Sequence, residues 1–355
     1  MRALWSAGWA VAAAAYFAAG GDASPITLGI MVGAVLLGFV LGTVRRWQHP
    51  VLGAWAAVIA LTLIALIAWL DALGSLLQLS TLAAVIASAG YVSAAPAKEA
   101  AAPTAALRAL TPATRGLALA ILVIGAGVIA SVHIAGALTV AVALTAAWAV
   151  LSTRAGLSTP GAPGGGVTPF QLLQGVLITL GLGAWAVLAL LIMPQLRIPL
   201  PWDPVSAAAV PVGIVLGLGM LGAGLGLAAA VPLVDRGVRP MALWTLGPAV
   251  IGMLMLMVAR PGSLAALALV GVPLVAFSIA GGFRLATAQP PQRASDEIVF
   301  ARSAAPAALA AAAVGALTAG LLAGVAADRD VVLLPVVLLS IAAAWIDLQR
   351  HTPRS

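Results

Sequence analysis

The amino-acid sequence predicts an all-α polytopic membrane protein with about twelve transmembrane helices in two parallel six-helix repeats and both termini cytoplasmic. Three observations predict it. Of 355 residues, 63% are apolar and only 8% charged, with a mean hydropathy of +1.14. A soluble domain carries roughly a quarter charged residues, so too little polar surface remains here to face water. Apolar runs of about 20 residues, each enough to cross a hydrocarbon layer of roughly 30 Å, recur between charges and prolines. A stretch of the first half also reappears in the second at a fixed offset.

The apolar runs cover 3–20, 25–44, 51–70, 72–93, 117–132, 134–152, 169–193, 206–234, 241–259, 262–283, 304–326 and 331–347. The first is alanine-rich and short, and only His133 with its flanking glycines divides the fifth from the sixth. Other divisions at these places give ten or eleven spans. Arg2 and the apolar residues after it have the outline of a secretory leader. Trp5, Trp9 and Tyr16 give that stretch the character of an anchored helix, so it is read as the first span.

Orientation follows from the cations, which concentrate in cytoplasmic loops. With the N-terminus inside, all of the 17 lysines and arginines except Arg197, Arg260 and Arg329 fall on the cytoplasmic side. Asp22, Asp71, Asp203, Asp328 and Asp330 lie outside. This sorting accounts for the net charge of +7 as a topology signal, without nucleic acid. It describes a multi-pass protein of a bacterial-type inner (plasma) membrane, N-in and C-in. With no cysteine and three histidines, disulfides and thiolate metal sites are excluded and neither metal nor cofactor is expected.

The repeat is visible residue by residue. Leu28 to Pro50 lies without a gap over Leu218 to Pro240, an offset of 218 − 28 = 190. Leu28/Leu218, Gly29/Gly219, Val44/Val234, Arg46/Arg236 and Pro50/Pro240 are identical. Within a few residues the same offset lays span 3 on span 9, span 4 on span 10, and the basic loop 94–116 on 284–303. The chain is thus divided into an N-terminal bundle, 1–152, a flexible Gly/Pro-rich cytoplasmic linker, 153–168, and a C-terminal bundle, 169–355. Parallel repeats of this kind suit alternating access around a site near the midplane.

Between spans 8 and 9, Val231 to Trp244 reads VPLVDRGVRPMALW. Asp235, Arg236, Gly237, Arg239 and Pro240 follow one another in the order of the loop signature of the major facilitator superfamily, which the chain resembles as a short, divergent example. An aspartate at a helix C-terminus opposes the macrodipole unless a nearby arginine compensates, which makes a charge cluster able to latch two bundles. The sister loop between spans 2 and 3 keeps Arg46 but has Arg45, Trp47 and His49 where the signature has its acid, glycine and later base. The glycine–proline motif of span 5 and the arginine of span 4 are absent.

The resemblance implies a gating loop of Asp235, Arg236, Gly237 and Arg239 with Arg46 as counterpart, a monomer, and a cavity lined by spans 1, 4, 7 and 10. Polar and aromatic residues on those spans are the binding candidates: Tyr16; Ser75, Gln78 and Thr81; Gln174, Thr179 and Trp185; and Ser278. Trp9 and Phe277 share the same spans. A buried amide in lipid is costly without partners, so Gln78 and Gln174 either line the cavity or tie helices together. His133 is expected to cap the outer end of span 5.

No Asp, Glu, Lys or Arg falls near the middle of any span, which removes the obvious carriers for proton coupling. The implied function is secondary transport of a small neutral or hydrophobic solute, with efflux or uptake left open. The partners are then the lipid bilayer and a small-molecule substrate. The alternative is a non-transporting scaffold or assembly subunit on the same fold, with partner subunits. Enzymatic function is not expected. Gly217, Gly219 and Gly222 match a dinucleotide fingerprint but lie inside span 8 with no preceding strand, so they are read as packing residues. Asp328/Asp330 and Asp296/Glu297 lack the spacing of a metal-diphosphate motif.

Overall fold

The computed structural model describes residues 2–19, 24–43, 50–74, 76–94, 105–154, 187, 190–191, 201–204, 208–235, 242–259, 266–287 and 294–325. Among them are ten helices: α1 (Arg2–Ala19), α2 (Pro25–Thr43), α3 (Pro50–Trp69), α4 (Leu77–Ser93), α5 (Ala105–Val132), α6 (Ile134–Arg154), α7 (Ala209–Asp235), α8 (Ala242–Val258), α9 (Ala266–Thr287) and α10 (Ala294–Val325). They correspond to spans 1–6 and 8–11. Spans 7 and 12 lie outside the described residues, apart from Val187, Leu190 and Leu191 in the former. Five helices are long and apolar enough to cross a membrane, namely α2, α3, α5, α6 and α7, and five others contain shorter apolar segments.

Local chemistry sets the helix ends. Pro25 occupies the first position of α2, where its missing N–H costs nothing, and Ser24 Oγ accepts the Thr27 N–H at 3.3 Å as the N-cap. At the end of α3, Asp71 N–H donates to Ala68 O and Ala72 N–H to Ile67 O, each at 3.1 Å. That pair of bonds is a Schellman closure, and it puts Asp71 at φ 51 where glycine is usual. The chain leaves the helix in this turn, and α4 begins at Leu77, later than the expected 72. Left-handed backbone costs an L-residue about 1–2 kcal/mol, against about 0.5–1 kcal/mol for glycine's greater chain entropy. Asp71→Gly is therefore expected to stabilise the fold by roughly 0.5 kcal/mol. A melting temperature at or below that of the parent in the same detergent would contradict it.

Two helices run beyond the expected spans at the basic side. α5 has 28 residues and α10 has 32, lengths of about 42 and 48 Å, more than the apolar layer requires. Their leading turns carry Arg108 and Arg115, and Asp296, Glu297 and Arg302, charges that cut the apolar runs short without breaking the helices. His133 interrupts the chain between α5 and α6 as expected, but its cap is on the other helix. Its Nδ1 accepts the Gly136 N–H at 2.9 Å, so His133 is the N-cap of α6 rather than a cap for α5.

In the packing, α3 lies against α4 and α6, α2 against α4, and α1 against α5 and α6. After the linker stretch, α9 lies between α7 and α8. The two groups meet where α5 packs on α7, α2 on α10 and α1 on α7. Residues 10–18 of α1 are all buried. Its alanines, among them Ala10, Ala14 and Ala15 at 0% exposure, allow neighbours to approach on every side. Helix packing in lipid lacks the water-driven term and relies on close contact, which is why glycines stand at the crossings. A Cβ on Gly252 would stand 2.8 Å from the Gly271 carbonyl oxygen, and Gly217 and Gly222 face α5 and α9, as packing residues should. Gly219 meets nothing within 4 Å.

Candidate functional site

Helices α1 and α4 have few backbone contacts and are bridged by aromatic side chains at two levels. Near the Ala19 end of α1, Tyr16 is 3% exposed and its hydroxyl donates to Thr81 Oγ1 of α4 at 3.4 Å. Near the Arg2 end, Trp5 Nε1 donates to the Tyr91 carbonyl at 2.9 Å. Between these levels Trp9 turns toward α2, its ring 5.4 Å from that of Phe39. The α1/α4 contact is thus made of aromatic planes and hydroxyls, and the charges of the described helices lie outside the apolar runs. Tyr16 and Tyr91 are buried and bonded to Thr81 and Thr145, so rings and hydroxyls of this kind could contact an uncharged molecule only where the helices part.

The structure brings together Tyr16 and Thr81 among the sequence candidates. Gln78 is exposed one turn before Thr81 on α4. Ser278 is 0% exposed, inside the packing of α9, and its Oγ has no hydrogen-bond partner. Asp235 is the last residue of α7. Ser75, Gln174, Thr179, Trp185, Arg46, Arg236, Gly237 and Arg239 lie outside the described residues.

Sequence reasoning missed a polar and aromatic hub joining α1, α4 and α6. Thr145 Oγ1 donates to Ala141 O at 2.7 Å, which uses its only proton, so the Tyr91 hydroxyl donates to Thr145. Tyr91 stacks on Trp148 at 5.8 Å and makes a T-shaped contact with Trp5 at 6.2 Å. A signal was present: the chain has two tyrosines, and each bonds a threonine on another helix. A second missed group lies at the far ends of the helices. Trp69 Nε1 donates to Thr139 Oγ1 at 3.1 Å and its ring lies 4.7 Å from His133. Trp202, just ahead of α7, donates to Ser131 Oγ of α5 at 3.1 Å.

No protein-family model and no curated protein matches the sequence. Solved structures do. The nucleoside transporter NupG is similar over 99% of this chain and 98% of its own, at 12% identity and a TM-score of 0.64. A bacterial homologue of the iron transporter ferroportin in its inward-facing state is similar over 98% of both chains, at 15% identity and a TM-score of 0.62. Outward-facing structures of a bacterial ferroportin homologue give 0.55 and 0.51. The major facilitator superfamily transporter FucP in its outward conformation is similar over 99% of this chain and 98% of its own, at 12% identity and 0.50. Helix order, packing and whole-chain likeness agree, and the chain has the major facilitator superfamily fold.

Proposed function

We propose that the protein is a secondary transporter that carries a small neutral or hydrophobic solute by alternating access between two six-helix halves, 1–152 and 169–355. The observation that carries this reading is a fold like that of solved transporters whose apolar runs hold no Asp, Glu, Lys or Arg in the described helices, with aromatic and hydroxyl side chains joining α1 and α4. Two repeated halves are supported by the packing: spans 2 on 11, 2 on 4 and 3 on 4 have counterparts in spans 8 on 5, 8 on 10 and 9 on 10. The proposed orientation is N-in and C-in, which puts the Pro25 end of α2 and the Val132 end of α5 outside. The higher TM-score to the inward-facing ferroportin homologue supports a conformation closed on that side.

The cargoes in the names of the similar proteins are nucleosides, iron and fucose. An uncharged, ring-bearing solute suits this face better than a metal ion, for which no cluster of three His, Cys, Asp or Glu occurs among the described residues. Proteoliposomes carrying the protein, assayed with radiolabelled uridine and fucose and a hydrophobic dye, are expected to show flux that survives collapse of the proton gradient. Tyr16→Phe should reduce that flux several-fold. Strict proton dependence abolished by Asp22→Asn would overturn the neutral, uncoupled reading. Silence toward every probe, with stoichiometric co-purification of other subunits, would favour the scaffold alternative.

A further inference from the structure

We propose that His133 is a pH-operated cap: neutral, it closes the first turn of α6, and protonated, it releases that turn and presents its charge to the Trp69 ring. The inference concerns one turn of the fold and is independent of cargo and coupling. Only the side of the membrane on which it acts, the outer one, rests on the proposed N-in orientation.

Two helical ladders meet at His133. Its N–H donates to Ile129 O at 2.9 Å, continuing α5, and its carbonyl accepts the Ala137 N–H at 3.2 Å, starting α6. The first amides of α6 have no carbonyl of their own helix to bond. His133 Nδ1 accepts one of them, from Gly136, at 2.9 Å. The three atoms nearest to a Cβ built on Gly136 would all belong to His133, at 3.6–3.7 Å, so the imidazole is what covers this turn. An accepting ring nitrogen carries no proton, so the bond requires neutral imidazole with its proton on Nε2. Imidazolium has a donor on both nitrogens and cannot make it, and its charge opposes the positive end of the α6 dipole.

The released ring has a second partner in reach. Trp69 lies with its ring 4.7 Å from that of His133, and a tryptophan face attracts a cation within about 6 Å. Around the break, the charged groups among the described residues are Asp71, two residues after Trp69, and Asp203, next to Trp202; the adjoining ends of α1, α5, α6 and α7 carry none. Both are carboxylates that attract a cation, so neither opposes the release. His133 and Trp69 are exposed, which lets protons reach the ring from water. Histidine is the side chain that ordinarily changes charge between pH 5 and 8. The stabilisation from the cap is therefore present at the alkaline end of that range and lost as pH falls.

The turn that His133 closes is a junction. Thr139 Oγ1 accepts the Trp69 Nε1–H at 3.1 Å and gives its own proton to Ala135 O, in that first turn, at 2.8 Å. Two residues before His133, the buried Ser131 accepts the Trp202 Nε1–H. Releasing the cap thus loosens the tie between α3 and α6 at this end.

Hydrogen exchange of the full chain in nanodiscs at pH 8 and pH 5, each normalised to the unstructured rate, measures protection of amides 134–138. In the parent it should fall about five-fold at pH 5, the factor that corresponds to the ~1 kcal/mol of a typical N-cap. His133→Asn, a capping side chain that does not titrate, should keep equal protection at both. Unchanged protection in the parent overturns the proposal, as does an equal loss in His133→Asn, which would put the pH response elsewhere. Nitrogen-15 shifts of labelled histidine, with His49→Gln and His351→Gln leaving one signal, read the ring itself. Nδ1 should be bare and Nε2 protonated at pH 8, with both protonated at pH 5. A proton on Nδ1 at pH 8, or a bare Nδ1 at pH 5, overturns the switch even if His133→Asn fails to fold.

Discussion

Replacing Gly127 with leucine should cost about 3 kcal/mol of stability, whereas the same replacement at Gly125, two residues away on α5, should be neutral or slightly stabilising. Both substitutions gain helix propensity, about 0.8–1 kcal/mol over glycine, and both add the same side chain to an apolar environment. They differ in what the new atoms meet. At Gly127 the Cβ alone would stand 2.7 Å from the Ala209 carbonyl oxygen and 2.9 Å from Gly213 Cα. Those are backbone atoms of another helix, so relief requires α5 and α7 to separate, with loss of contact along the seam and of the Trp202–Ser131 bond. At Gly125 nothing lies within 4 Å. Overpacking thus outweighs propensity at one site and is absent at the other. Thermal unfolding of the two variants in one detergent would check this. Equal melting temperatures would mean that α5 and α7 do not meet at Gly127.

How far the fold could be read from the chain depended on whether a feature was local. The ten described helices were legible because long apolar runs carry their own meaning in a membrane, and the break at His133 was legible because no helix passes through it. Charge misled at α5 and α10, where arginines and acids mark the edge of the lipid but not the end of the helix. α1 looked weak because its alanines make a poor lipid-facing span, and its buried place explains those alanines. Pairings between helices were out of reach. That Tyr16 would meet Thr81, and that Trp202 would reach Ser131 across 71 positions, is set by which helices become neighbours. The same limit applies to polar candidates such as Gln78 and Ser278. A polar side chain in a span signals that some partner is wanted and not what the partner is, and the structure puts the first at the surface and the second inside the packing.

Truncating Trp148 to alanine should destabilise the protein by about 3 kcal/mol, several times the cost of Thr145→Val in the same hub. The comparison decides whether packing or hydrogen bonding holds α1, α4 and α6 together. Trp148 is 1% exposed and stacked on Tyr91, which in turn supports the Trp5 ring. Its removal leaves a cavity that neighbouring helices cannot fill without tilting, and the lost dispersion contacts are not repaid by lipid. Little water is expelled in forming such a site, so the cost belongs at the lower end of the 3–5 kcal/mol seen for large aromatic truncations. Thr145→Val keeps the volume and removes one acceptor from the Tyr91 hydroxyl. Interhelical hydrogen bonds in membranes average about 0.6 kcal/mol, because the separated helices find other partners. Unfolding in graded SDS, followed by tryptophan fluorescence, would rank the two. If Thr145→Val cost as much as Trp148→Ala, the Tyr91 hydroxyl would be trapped with no other acceptor, and the hub would be held by that bond rather than by its rings. If the order is as expected, the rings set the spacing of α1 and α4 at their Arg2 and Ser93 ends. The Tyr16–Thr81 pair at the opposite level would then be left free to respond to a bound solute, because its 3.4 Å bond is the looser of the two bridges.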